Sequence, residues 1–244
     1  MPRFMKRMKF GPLRATVVET PAASGGSIER TVVLLHGYGA PGTDLVGLHS
    51  SLQSASRRSD QGVRYVFFEA PHPLAEMGPT YPGRAWWPID MMQLQVAVMT
   101  QNFEALAQAH PPGIDEASRE LDQALRALVK ETNVTWEQLF VGGFSQGAML
   151  SCNWALHHTD PIAGLIQLSG TVLCQPSWQR LLGQRQGLAV FQSHSPQDPV
   201  LPFVLAERLR DMMLEAGLRH TWISFGGGHG IGPSVLSGLA QFLS

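Results

Sequence analysis

Short apolar runs alternate along this chain with stretches whose apolar positions fall at helical spacing. The runs at residues 14–19 (RATVVE), 31–35 (TVVLL), 64–69 (RYVFFE), 139–141, 163–168 (AGLIQL), 188–193 (LAVFQS) and 220–225 (HTWISF) read as strands. The second is continuously apolar and β-branched, as expected of a strand buried on both faces of a parallel sheet. Leu121, Leu125, Leu128 and Val129 recur at helical spacing inside a helix expected over 115–130. Another helix is expected through Leu45, Leu48 and Leu52, capped by Thr43 or Asp44. Others are expected over 93–109, 176–182, 201–216 and 233–243, with Pro111-Pro112-Gly113 marking the break before 115. Strands and helices in alternation imply an α/β fold, a mostly parallel central sheet flanked by helices. In such sheets chemistry sits at the carboxyl ends of the strands.

Three segments fall outside this alternation. Residues 20–29 read as a Pro/Gly/Ser loop. Residues 70–92 hold five prolines and the sequence GRAWWPID over 83–90. An irregular stretch this long within a compact domain is functional or disordered, and its two tryptophans and several methionines argue against disorder. The start, MPRFMKRMK, is basic and lacks the apolar run of a secretory signal. It reads as a mobile basic tail over 1–12, ahead of a single domain over 13–244.

The most informative stretch is 139–152, LFVGGFSQGAMLSC, where an apolar strand hands over to a helix. Gly143-x-Ser145-x-Gly147 is what a nucleophile elbow needs: a sharp strand-to-helix turn with a strained serine at its apex. A Cβ at either glycine would collide with the neighbouring strand or helix. The bare pattern arises by chance in roughly one such sequence in five, so its context carries the argument.

A serine hydroxyl needs a base to take its proton and a third group to orient that base. In folds of this kind the acid and then the histidine follow the serine, each on a loop after a strand. Asp198 follows the strand over 188–193 in HSPQDP, and His229 follows the strand over 220–225 in GGGHG. The competitors are weaker. Asp160 closes the elbow helix, Asp211 lies mid-helix, and His157 and His158 end a helix, where a cation complements the dipole. His194 precedes the acid it would have to follow. The oxyanion needs donors as well. The Gln146 N–H supplies one, and the turn over 36–40 after an early strand can supply the other. His36 reads as a structural hydrogen-bonding residue rather than a catalyst.

Composition narrows the partners. The chain has 244 residues, 44% of them hydrophobic and 15% charged, with a formal net charge of −1. That balance gives no reason to expect nucleic acid. No apolar run is long enough to span a membrane. Cys152 and Cys174 make no disulfide framework and sit in no metal-ligand pattern, so neither metal nor cofactor is expected. A cytoplasmic location is expected, and oligomeric state is not legible.

Taken together, LHGYG over 35–39, GFSQG over 143–147, DPVLP over 198–202 and GHGI over 228–231 resemble the phospholipase/carboxylesterase group of α/β-hydrolases, which includes the acyl-protein thioesterases. The resemblance implies an α/β-hydrolase fold and a Ser145–Asp198–His229 triad. It also implies the Tyr38 and Gln146 backbone N–H groups as oxyanion hole, and an acyl-binding surface at Trp86 and Trp87. GRAWWPID looks more like bacterial esterase relatives than eukaryotic thioesterases, and Gly230 stands where relatives often carry a larger residue. The expected substrate is a small-molecule or lipid-like ester or thioester with an apolar acyl group. Lysophospholipase and acyl-protein thioesterase are the alternatives within the class, with a peptidase behind them. Cysteine at the elbow would suggest a dienelactone hydrolase, but this chain has Ser145 there. The rival outside the class is a non-catalytic binding protein on the same fold.

Overall fold

The computed structural model describes residues 4–22, 27–55 and 61–244. Its strands are β1 (Phe4–Phe10), β2 (Leu13–Thr20), β3 (Ile28–Leu35), β4 (Gly62–Glu69), β5 (His72–Pro73), β6 (Arg84–Ala85), β7 (Leu139–Phe144), β8 (Gly164–Leu168), β9 (Ala189–His194) and β10 (Arg219–Ser224). The helices are α1 (Leu48–Ala55), α2 (Met91–Met99), α3 (Phe103–Gln108), α4 (Ile114–Thr132), α5 (Gln146–His157), α6 (Gln175–Leu182), α7 (Phe203–Glu215) and α8 (Pro233–Phe242). Eight strands form one sheet in the order β1-β2-β4-β3-β7-β8-β9-β10. It is parallel from β4 to β10, with β2 antiparallel to β4 and β1 antiparallel to β2.

The apolar strand runs do what their composition requires. Val32, Val33, Leu34 and Leu35 of β3 are all buried, and they alternate between two cores. Val33 and Leu35 face the larger core with α4, α5, α6 and α7, and Val32 and Leu34 face the smaller one with α1 and α8. Leu121, Leu125 and Leu128 of α4 point into the larger core, and Val129 packs at its margin. α4 runs between two left-handed residues, Gly113 (φ 93) and Asn133 (φ 53), where helical backbone cannot continue.

Three local expectations change. The expected basic tail contains β1, which pairs with β2 from Phe4↔Glu19 to Phe10↔Leu13. Met5 to Lys9 are exposed, so the strand shows no apolar alternation; its backbone pairing and Phe10, fully buried against Phe68, hold it in place. The helix expected over 93–109 is two, because Gln101 is left-handed (φ 54) and Asn102 caps α3 through the Ala105 amide. The helix through Leu45 begins as a 3-10 turn, Asp44–Gly47, and Thr43 makes no side-chain cap. The irregular segment is also ordered. β5 pairs with β6, and the Gly39 and Arg84 amides donate to the Arg84 and Ala40 carbonyls at 2.9 and 3.1 Å. These bonds pin the segment to the loop after β3.

Candidate active site

β7 ends at Phe144 and α5 begins at Gln146, leaving Ser145 at the turn with φ 53 and ψ −117. Such a backbone costs about 1–3 kcal/mol for a residue with a Cβ and persists only where its surroundings over-determine it. Here the Ser145 amide donates to the Leu168 carbonyl at 2.9 Å, and the Ser145 carbonyl accepts the Met149 amide at 3.1 Å. Both flanking glycines are obligatory. A Cβ on Gly143 would come within 2.5 Å of the Leu35 carbonyl oxygen, and one on Gly147 within 2.6 Å of the His36 carbonyl oxygen.

Ser145, Asp198 and His229 are brought together from three separate loops. His229 Nε2 lies 2.9 Å from Ser145 Oγ, and His229 Nδ1 lies 2.7 Å from Asp198 Oδ2. An ionised carboxylate only accepts, so Nδ1 carries the proton and Nε2 is free to accept the serine O–H. The His229 loop is tied down by Ser169 Oγ, which donates to the Gly230 carbonyl at 2.9 Å. The Phe144 ring, 4.8 Å from the imidazole between ring centres, backs it from the elbow side.

Asp198 is fully buried as a side chain. Burial works to raise its carboxyl, but it is outweighed by hydrogen bonds from His194, His229 and the Leu201 amide, which hold it well below the usual carboxylate range. Oδ1 accepts the Val200 and Leu201 amides at 2.8 and 2.9 Å. Reading the sequence for a base passed over His194's other use: it stands 3.3 Å from Asp198 Oδ2. The signal was its place four residues ahead of the acid, at the end of the strand whose loop carries Asp198. The remaining competitors lie elsewhere. His158 stacks on Trp154 with Trp136 tilted against it, near Asp122 and Asp160, His157 binds the Asn153 carbonyl, and Asp211 pairs with Arg210.

The loop after β3 lies against the elbow, since a Cβ on Gly37 would be 3.3 Å from Ser145 Cβ. Tyr38 of that loop lines the same cleft as Ser145, and Gln146 follows the serine at the head of α5. His36 is a structural hub. It accepts the Ala70 amide at Nε2 (3.1 Å), donates from Nδ1 to the Gly37 carbonyl (2.9 Å) and offers its own carbonyl to Trp86 Nε1 (2.9 Å). Burial pushes its imidazole below the ordinary histidine value. The Gln146 side chain was not singled out from sequence, yet it accepts the Trp86 amide at 2.9 Å and donates to the Trp87 carbonyl at 2.8 Å.

A cleft of about 870 Å³ opens beside Ser145 and His229. Its walls are mostly apolar, with Leu94 and Ala97 of α2, Leu106 of α3, and Met149, Val172 and Leu201 from the opposite side. Trp86 and Trp87 are both buried, but only Trp87 borders the cleft, and Trp86 lies behind it on His36. α2 has no buried residue, and Met92, Val96 and Met99 form an exposed apolar stripe, of which Val96 also borders the cleft. His110, on the cleft wall, accepts from the Cys174 thiol at 3.4 Å and donates to Asp115 at 3.0 Å. Burial pushes that thiol up to about 11. Among the described residues, no three His, Cys, Asp or Glu side chains converge as a metal site requires, and no helix is long and apolar enough to cross a membrane.

This architecture recurs in known proteins. Acyl-protein thioesterase 1 of Eremothecium gossypii is 24% identical over 234 residues, covering 95% of this chain and 94% of that one. Acyl-protein thioesterase 1 of Saccharomyces cerevisiae is 25% identical over 224 residues, covering 88% and 91%. Among solved structures, esterase PE8 superposes with a TM-score of 0.73 at 25% identity, over 97% of this chain and 98% of that chain. A carboxylesterase from Mesorhizobium loti, at 14% identity and a TM-score of 0.73 over 98% of both chains, shares the fold. The family model for phospholipase/carboxylesterase matches residues 17–244. With a mostly parallel sheet, a strained serine at its elbow and this match over nearly its whole length, the chain belongs to the phospholipase/carboxylesterase family of α/β-hydrolases.

Proposed function

We propose that the protein is a serine hydrolase that cleaves carboxylic esters, thioesters among them, carrying an apolar acyl group. The observation that carries the reading is the unbroken hydrogen-bond chain from Ser145 Oγ through His229 to Asp198, at 2.9 and 2.7 Å. Ser145 Oγ attacks the substrate carbonyl while His229 Nε2 takes its proton, and Asp198 holds the imidazole in the accepting tautomer. The Tyr38 and Gln146 amides receive the developing oxyanion, each donor contributing about 3 kcal/mol at the transition state. His229 then protonates the leaving alcohol or thiol, and an acyl group remains on Ser145. Water attacks it, His229 takes the water proton and returns one to Ser145, and the carboxylic acid departs. The cleft supports an apolar acyl chain, with Trp87 as one of its walls.

Acyl-protein thioesterase activity is the narrower reading, favoured by the name its relatives carry, and lysophospholipase activity stands beside it within the phospholipase/carboxylesterase family. A cytoplasmic location agrees with two free, buried cysteines. A fluorophosphonate should label the protein once, at Ser145, and Ser145→Ala should lose both labelling and hydrolysis of p-nitrophenyl esters and acyl thioesters. Equal labelling of the Ala variant would refute the nucleophile. A folded native protein that neither labels nor hydrolyses would be a binding protein on this fold.

A further inference from the structure

His194 ends β9 and is fully buried. Its Nε2 lies 3.0 Å from the Leu201 carbonyl oxygen and 3.3 Å from Asp198 Oδ2. A carbonyl only accepts, so Nε2 carries the ring's proton and donates it to the Leu201 oxygen, with Asp198 Oδ2 close beside the same N–H. Nδ1 is then a bare nitrogen, and among the described residues it has no hydrogen-bond partner. Asp198 Oδ2 also accepts the His229 Nδ1–H, so two imidazoles share one carboxylate oxygen.

We propose that His194 is a positioning residue for the reaction: its Nε2–H, held against Asp198 Oδ2, sets how strongly that oxygen holds His229 and so tunes the base that takes the Ser145 proton. The inference rests on the Ser145–His229–Asp198 relay proposed above. Apart from the Leu201 carbonyl, Asp198 Oδ2 is the one polar atom the described residues set beside the His194 N–H. The Val200 and Leu201 amides occupy the other carboxylate oxygen, and α7 offers His194 only the Phe203 ring, 6.1 Å away between ring centres. From β10's end the Phe225 amide donates to the His194 backbone carbonyl at 3.3 Å, and this leaves the ring untouched. The titratable side chains bonded to the carboxylate are thus His194 from β9 and His229 from the loop before α8. His194 stands first among the hydrogen bonds that hold the Asp198 carboxyl low.

The direction of the effect follows from charge. An N–H donated to Oδ2 draws electron density from it. Without that donor, Oδ2 presents more negative charge to the His229 Nδ1–H and favours the imidazolium. His229 then holds its proton to higher pH, and the acidic limb of kcat/KM moves up. A residue that merely fills space would leave that limb where it is.

The test compares two variants on a water-soluble ester across pH. His194→Phe keeps a ring and removes the donor, whereas His194→Gln keeps an N–H near the Nε2 position. The Phe variant should move the acidic limb upward by about half a pH unit, about a threefold loss below the limb with the alkaline plateau nearly kept. The Gln variant should retain the wild-type limb. An unmoved limb in the Phe variant, or a loss uniform across pH, overturns the proposal. If the Phe variant does not fold, His194→Asn, whose amide points to the Nδ1 side, replaces it with the same expectation. In the native enzyme, nitrogen NMR should show His194 as the Nε2–H tautomer, and an Nδ1–H tautomer would overturn the proposal without any variant. The underlying relay fails separately, if Ser145→Ala still hydrolyses the ester.

Discussion

Replacing Asp198 by Asn reverses the hydrogen-bonding sense of one atom at a carboxylate whose partners all donate. Oδ1 accepts two backbone amides at 2.8 and 2.9 Å, and Oδ2 accepts His229 at 2.7 Å and His194 at 3.3 Å. Backbone amides cannot turn round, so the asparagine oxygen goes to them and its NH₂ faces both histidines. His229 must then accept at Nδ1 and carry its proton on Nε2. That directs an N–H at Ser145 Oγ and leaves no lone pair for the serine proton. In serine proteases this wrong tautomer costs about ten-thousand-fold in kcat. The same loss is expected here, about 5 kcal/mol in barrier height. On the other side, the NH₂ meets the His194 N–H, which keeps its Leu201 acceptor, so the second asparagine N–H is left buried without a partner at a cost of about 1–3 kcal/mol of stability. Initial rates on p-nitrophenyl butyrate at pH 8, paired with a thermal melt, measure both. A folded Asp198→Asn enzyme that loses less than about tenfold would refute the tautomer argument.

Three further outcomes follow from the geometry. The Asp198 carboxyl is held below its unfolded value of about 4, so its stabilising contribution is present above that pH and lost as pH falls below it. The difference in Tm between wild type and Asp198→Asn should therefore narrow between pH 4 and pH 2, and a constant gap would contradict the linkage. Gly147→Ala should destabilise by about 3 kcal/mol or more, because the clash is with the Leu35 and His36 backbone carbonyls. Gly47→Ala, with nothing within 4 Å of its Cβ, should change stability by less than about 0.5 kcal/mol. In the cleft, kcat/KM should rise by up to about fifteen-fold per two-carbon extension of the acyl chain until the space is filled, at about 0.8 kcal/mol per fully buried methylene. Trp87→Ala should flatten that profile, whereas Trp86→Ala should lower Tm by removing a buried indole bonded to His36; the opposite assignment would invert their roles.

The strands of the parallel sheet were legible because burial on both faces forces continuous apolar runs such as TVVLL. The loops that carry Ser145 and Asp198 were legible because each follows such a run, whereas the His229 loop follows β10, an edge strand with no buried residue, and was legible from the glycines around its histidine. β1 was not, since an edge strand with exposed Met5, Lys6, Arg7, Met8 and Lys9 carries no alternation to read. The break at Gln101 was hidden as well, because no glycine or proline marks the left-handed residue. Side-chain contacts between distant segments left the weakest trace. Nothing in the spacing of residues 86, 87 and 146 announces that one glutamine binds both tryptophan backbones, or that Trp86 and Trp87, adjacent in sequence, face different surroundings.

The double bond between Gln146 and the Trp86–Trp87 backbone has a consequence for anyone wishing to re-engineer this enzyme. Gln146 heads α5 directly after Ser145, the proposed nucleophile, while its side chain clips the wall of the cleft proposed for the acyl group. Recognition and chemistry are therefore geared through a single residue. Widening the cleft at Trp87 is open to a designer only while residue 146 still offers both an amide oxygen and an amide N–H. Changes of acyl preference are best sought on α2 and α3, which form the facing wall and lie outside the clip.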